Sequence, residues 1–347
     1  MRDFLLIKGR NRNVVYLKFS FKILFLTIGF LLGISGLALA QDNKQAPIKV
    51  SADEAKAIKK IEEAKTLADK IKATSDFVKK YPKSPARNQA ANYLAGQIIF
   101  VKDDTQIIQN GEMFLTIFTE PAEADMILPN LMYSYITVKR TKDAFTAAEK
   151  YLSRHPEDVS VRFQLAIEGS NLLRAGTKDF SGQSHDYSMQ AIELIEANKK
   201  PANIDDADWK EYQTKWLAQL YQTLGVFDFF AGDKTKSRAN FEKATNLDSG
   251  DINSWVLLAT ILDDEYQTLA TNYNAASSSA DRDKLLKQAN EKIDQVIEIY
   301  ARVVALTDGK PEAKQINEPI RQNLESYYKY RRKTLEGLQE LINKYKK

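Results

Sequence analysis

No cysteine occurs anywhere in the 347 residues, which removes disulfides, thiolate metal sites and a lipid-modified cysteine together. Histidine occurs only at 155 and 185, and neither has a serine or aspartate partner at a spacing that builds a nucleophile or a metal cage. No Gly-rich phosphate loop, nucleophile elbow or EF-hand spacing is present. The sequence therefore offers no candidate catalytic, cofactor or metal residue, and a protein that is not an enzyme is expected. Glycine (14) and proline (9) are sparse while Ala, Leu, Lys, Glu and Gln abound, a composition that favours helix and disfavours a sandwich or barrel.

What is present begins with charge. The formal net charge of +4 sits almost wholly in the first 40 residues, which hold six basic residues and one acid. The remaining 44 basic and 45 acidic residues leave the body near neutral, without the electrostatic footprint of a nucleic-acid binder. No nucleic-acid partner is expected.

Residues 1–40 read as a targeting segment. A basic stretch to Lys22 precedes an uncharged apolar run from Ile23 to Ala40, which ends in Ala38-Leu39-Ala40. Small residues three and one before the cut suit signal peptidase, so cleavage after Ala40 is expected, with an uncleaved membrane anchor over 23–40 as the alternative. Either way the positive flank stays cytoplasmic and the body is exported, to the periplasm or cell envelope. If uncleaved, residues 1–40 would supply membrane contact. Residues 41–50 form a polar linker containing Pro47.

From Ser51 the pattern becomes helical. Ser51-Ala52-Asp53-Glu54 has the form of a capping box, and Ala57, Ile61, Ala64, Ala68 and Ile71 follow at spacings of three and four. The apolar face runs to Pro82, too far for one ordinary helix, so a break near Lys65 or Thr66 and an antiparallel pair are expected. Punctuation then recurs at Pro82, Pro121, Pro156, Pro201, Ser249-Gly250 and Pro311, with gaps of 35 to 62 residues. A period in that band marks a helical solenoid with insertions. The insertions fall at 178–187, within the turn of a pair covering 159–201, and at 273–280.

The most informative stretch is 218–251. Tyr221, Leu224-Gly225, Gly232-Asp233, Phe241 and Ala244 stand at the offsets of a 34-residue helix–turn–helix unit, and a step of 34 carries Tyr221 to Trp255 and Leu224-Gly225 to Leu258-Ala259. On these residues the chain resembles the tetratricopeptide repeat family. The small residues would let paired helices approach while Tyr221, Phe241 and Trp255 fill the space between them. Three positions depart from the family pattern: Ser237 for alanine, Asp228 for an aromatic and Ser249 for proline. The resemblance implies an all-α, right-handed superhelical solenoid of antiparallel helix pairs over 51–347, preceded by the signal or anchor helix. Its clearest units are 125–158, 218–251 and 252–308, and 311–347 caps it.

The resemblance also implies a non-enzymatic scaffold of the cell envelope that binds a partner protein or peptide in a concave groove lined by first helices. Here the groove positions are Gln222, Val226, Phe229 and Phe230 in one unit and Val256, Thr260, Asp263 and Asp264 in the next. Adjacent Phe229 and Phe230 cannot both face one core, so one is exposed unless a neighbouring helix covers it. A membrane-tethered structural subunit of an envelope or outer-membrane assembly, using its outer helix faces, is the alternative. Asp205-Asp206-Ala207-Asp208 reads as an N-cap, Asp263-Asp264-Glu265 as a solvated helix face or a groove contact, and His155 as decoration of a helix C-terminus. The eight basic residues from Arg321 to Lys347 accompany one apolar face, so this segment is expected to dock as a cap.

Overall fold

The computed structural model describes residues 48–201 and 204–346, and the expected leader and most of the linker lie outside the described residues. Among the described residues there are helices, turns and no strand. They divide into two compact units, one ending at Pro156 and the other beginning at Glu157.

The first unit opens with α1 (Ala52–Glu63) and α2 (Leu67–Lys80). The Glu54 amide donates to the Ser51 hydroxyl at 3.3 Å and the Ser51 amide donates to the Glu54 carboxylate at 2.9 Å, completing the capping box. The expected break falls at Ala64–Thr66, where Thr66 starts α2 by accepting from the Asp69 amide at 3.1 Å. Next come α3 (Arg87–Ile99), α4 (Asp104–Ile117), the single turn α5 (Pro121–Ala124), α6 (Leu128–Thr137) and α7 (Thr141–Leu152). Phe77, Leu94, Ile98, Phe114, Phe118, Leu131 and Met132 form the dry core. Gly111 lets α4 lie close to α6, since a Cβ there would stand 2.6 Å from Leu131 Cδ2. Across the loops, the Arg87 guanidinium donates two hydrogen bonds to Glu123, at 2.6 and 2.9 Å.

The second unit starts with α8 (Val159–Arg174) and α9 (Ser181–Glu196). Here the expected insertion is corrected: only 175–180 form the turn, and 181–187 are helix. Ser184 explains why a polar run folds this way, because its hydroxyl donates to the Leu165 carbonyl at 3.0 Å and lies against Gly169, where a Cβ would stand only 1.9 Å away. Small polar residues at a helix crossing do there what alanine does elsewhere. Then α10 (Asp206–Glu211), a π-helical turn (Tyr212–Trp216) and α11 (Leu217–Ala231) run on without interruption. Gly232, in the left-handed region at φ 84°, ends α11, and Asp233 caps α12 (Lys234–Leu247).

The α11–α12 pair packs as the repeat resemblance requires. A Cβ on Gly225 would stand 2.7 Å from the Phe241 ring, so the glycine admits the aromatic and no larger residue could. Two of the departures from the family pattern are explained by partners. Ser237 donates to the Gly225 carbonyl at 2.8 Å, and Asn240 donates to Asp228 at 2.7 Å, so each buried polar group is hydrogen-bonded.

The last elements are α13 (Ile252–Ala275), α14 (Ser279–Thr307), α15 (Lys314–Arg332) and α16 (Leu338–Asn343). At the second expected insertion the turn is only 276–278, so most of the extra residues lengthen the two helices. Arg331 and Arg332 bind Asp294, Lys344 binds Glu298, and Arg321 and Lys346 bind Asp308. The C-terminal basic residues thus fasten α15 and the segment after it to α14 and its end. The second unit is a tetratricopeptide-like stack of helix pairs.

Candidate partner-binding face

The candidate groove residues lie on two first helices, α11 and α13, whose register is set by side-chain hydrogen bonds. Gln222 donates to Asp251 at 2.6 Å and to Ser254 at 3.3 Å, and further along Lys234, just after α11, pairs with Asp264. The two helices therefore run in the same sense, with 222–234 beside 251–264.

Six of the eight residues retain access to solvent. Phe230 is 38% exposed and meets half-buried Phe229 edge to face at 6.0 Å. Val256, Thr260 and Gln222 are half-buried, and Asp264 is exposed. Val226 and Asp263 do not belong with them: Val226 is in the core and Asp263 is fully buried. The reason for Asp263 is α15, which lies beside α13 so that the Tyr327 hydroxyl donates to Asp263 Oδ1 at 2.7 Å while Gln267 donates to Tyr327 at 2.6 Å.

The three consecutive acids have three destinations rather than one solvated face. Asp263 turns inward to Tyr327, Asp264 pairs with Lys234, and Glu265 accepts from Arg238 at 3.4 Å and Lys292 at 2.5 Å. Around Asp263 stand Tyr266, Tyr300 and Tyr327, which the sequence reading missed. Burial pushes all three phenols up, and the Asp263 charge pushes further in the same direction. The one sequence signal was the density of tyrosine in 327–330; nothing in the spacing tied it to residue 263.

The remaining candidates resolve locally. Asp205 accepts from the Asp208 amide at 2.8 Å as the N-cap of α10, and Lys200 lowers the pKa of Asp206. His155 is more than helix-end decoration, because Nε2 lies 2.9 Å from Asp125 Oδ2 and the ring stacks on Tyr151 at 4.3 Å. His185 sits in α9 with Nε2 4.0 Å from Asp228. Among the described residues no three His, Asp or Glu side chains converge as metal ligands, and no helix is long and apolar enough to cross a membrane.

No known family pattern matches the sequence, and no curated protein matches it. Among the solved structures that are similar, two can be named. One is PilF of Pseudomonas aeruginosa, at 14% identity and TM-score 0.36, covering 74% of this chain and 97% of that one. The other is a tetratricopeptide repeat protein from Parabacteroides merdae, at 13% identity and TM-score 0.35, covering 78% of this chain and all of that one.

Proposed function

We propose that this chain is a non-enzymatic scaffold that holds a segment of a partner protein along the α11–α13 face. The observation that carries the reading is the Phe229–Phe230 pair: two adjacent aromatic rings, one left open, on a face whose register is held by Gln222. Large aromatics without polar cover mark a site where apolar contact with a partner offsets their exposure. Asp264, shared with exposed Lys234, offers a partner's basic group an alternative ion pair at the edge of that face. Val226 and Asp263 are buried and take no part in that face.

The proposed place of action is outside the cytoplasmic membrane, in the periplasm or cell envelope, on the strength of the basic, apolar and small-residue pattern of 1–40. A reporter fused to the C-terminus that is active only after export would be active with 1–40 present and silent without it. For the face itself, Phe230→Asp is expected to weaken partner capture at least tenfold and Asp264→Lys less, with the helical circular dichroism unchanged. Undiminished capture by Phe230→Asp would sink the proposal.

A further inference from the structure

The α13–α14 pair is longer than the body that supports it. In α13 the last fully buried residue is Asp263 and in α14 the first is Ala289, so from Asp264 to Gln288 the side chains are half-buried or exposed. A two-helix arm projects from the second unit. On one flank of α14, α15 stops where Arg331 makes two 3.0 Å hydrogen bonds to Asp294. Beyond that point the flank is open: a shallow groove of about 360 Å³ runs along Asp283, Leu286, Lys287, Asn290, Glu291 and Asp294 with Arg331 at its head. Leu286 is 40% exposed there.

The charge pattern says what fits. Around the tip, Asp281 and Asp283 are interleaved with Arg282, Lys284 and Lys287, so charge of neither sign dominates the arm's end. Asp283 and Lys287 are exposed, one turn apart on one stripe, and neither is in an ion pair among the described residues. Opposite charges one turn apart make a helical stripe its own antiparallel complement. A two-fold axis level with Leu285 sets Asp283 opposite Lys287 of the other copy, twice over, and brings the two Leu286 side chains together beside the axis. We propose that the arm is a self-association surface, with a second copy of this chain packed antiparallel along α14.

The absence of native cysteine makes this directly testable in the full chain. With Leu286→Cys as the only thiol, a short bifunctional thiol cross-linker is expected to give a covalent dimer. Met189→Cys, at a 51% exposed position on α9, serves as the control. Association through residues 23–40 would raise both variants alike. Adding Lys287→Asp places Asp283 against an aspartate and is expected to lower the dimer yield about tenfold. Adding Asp283→Lys as well reverses both charges, restores the complement and should return the yield to within about twofold of Leu286→Cys alone. A yield from Leu286→Cys no higher than from Met189→Cys, or a double reversal no better than the single one, would overturn the proposal.

Discussion

The α11–α12 and α13–α14 pairs carry the same repeat positions, yet one is closed on itself and the other is not. In α11–α12 the turn is tight, Gly225 receives Phe241, and the two polar departures, Asp228 and Ser237, each have a partner on the facing helix. In α13–α14 the lower half is equally well packed around Trp255, Leu258, Ile293 and Ile297, while the upper half has only half-buried and exposed side chains. Conserving the spacing of a few small and aromatic positions fixes how two helices cross. It does not fix how far they extend, because helix length depends on continued helical propensity and capping, here Ser278 accepting from the Asp281 amide at 3.1 Å.

The largest loss is expected at the closed pair. Phe241→Ala is expected to remove about 3–5 kcal/mol, since a fully buried ring is lost opposite a glycine that cannot fill the space. All three tryptophans, Trp209, Trp216 and Trp255, lie in the second unit, so urea unfolding followed by tryptophan fluorescence reads the loss directly. An unchanged midpoint would mean the helices do not cross as described. Next in size is Tyr327→Phe, which takes the hydrogen bond from a carboxylate with no exposure and should cost about 1–3 kcal/mol by the same measurement.

Two carboxylates then predict opposite pH responses in the two units. Burial raises the pKa of Asp228, outweighing the hydrogen bond from Asn240 and the His185 charge. Its favourable contribution belongs to the protonated form and is lost as pH rises through the raised pKa, so Asp228→Asn should flatten that loss. For Asp125 burial also acts upward, but the hydrogen bonds and charges of Arg154 and His155 outweigh it and the pKa is lowered. Its contribution is present above the ordinary carboxylate pKa and lost as pH falls through the lowered one, so Asp125→Asn should cost stability at neutral pH and less in acid. Urea midpoints read by circular dichroism between pH 3 and 7 separate the two signs. The smallest effect belongs to the open arm, where Leu286→Ala should change monomer stability by no more than about 0.5 kcal/mol.

The sequence made the packed contacts legible wherever cause and effect lie close along the chain. Ser51, Thr66 and Pro82 bound helices through neighbouring backbone groups, and Gly225 with Phe241 follows from a repeat offset of one turn-separated pair. It was silent where the cause is distant or composition misleads. Asp263 stands at a groove spacing, but its burial comes from Tyr327, on a helix two elements later. Residues 181–187 read as a loop because Ser, Gly, His and Asp dominate them, while Ser184 and Gly169 are there to let α8 and α9 meet. For Phe229 and Phe230 the sequence offered only that one of two adjacent rings is exposed unless a neighbouring helix covers it, and did not say which.

Site-specific photo-cross-linking of the full chain in its native cells asks whether the proposed α11–α13 face holds a partner protein. A photoreactive residue in place of Phe230 or Thr260 should give the same discrete adduct, absent when the probe replaces Met113 or Met189, which are also exposed or lie on other helices. Adducts at 113 and 189 with none at 230 and 260 would contradict the account.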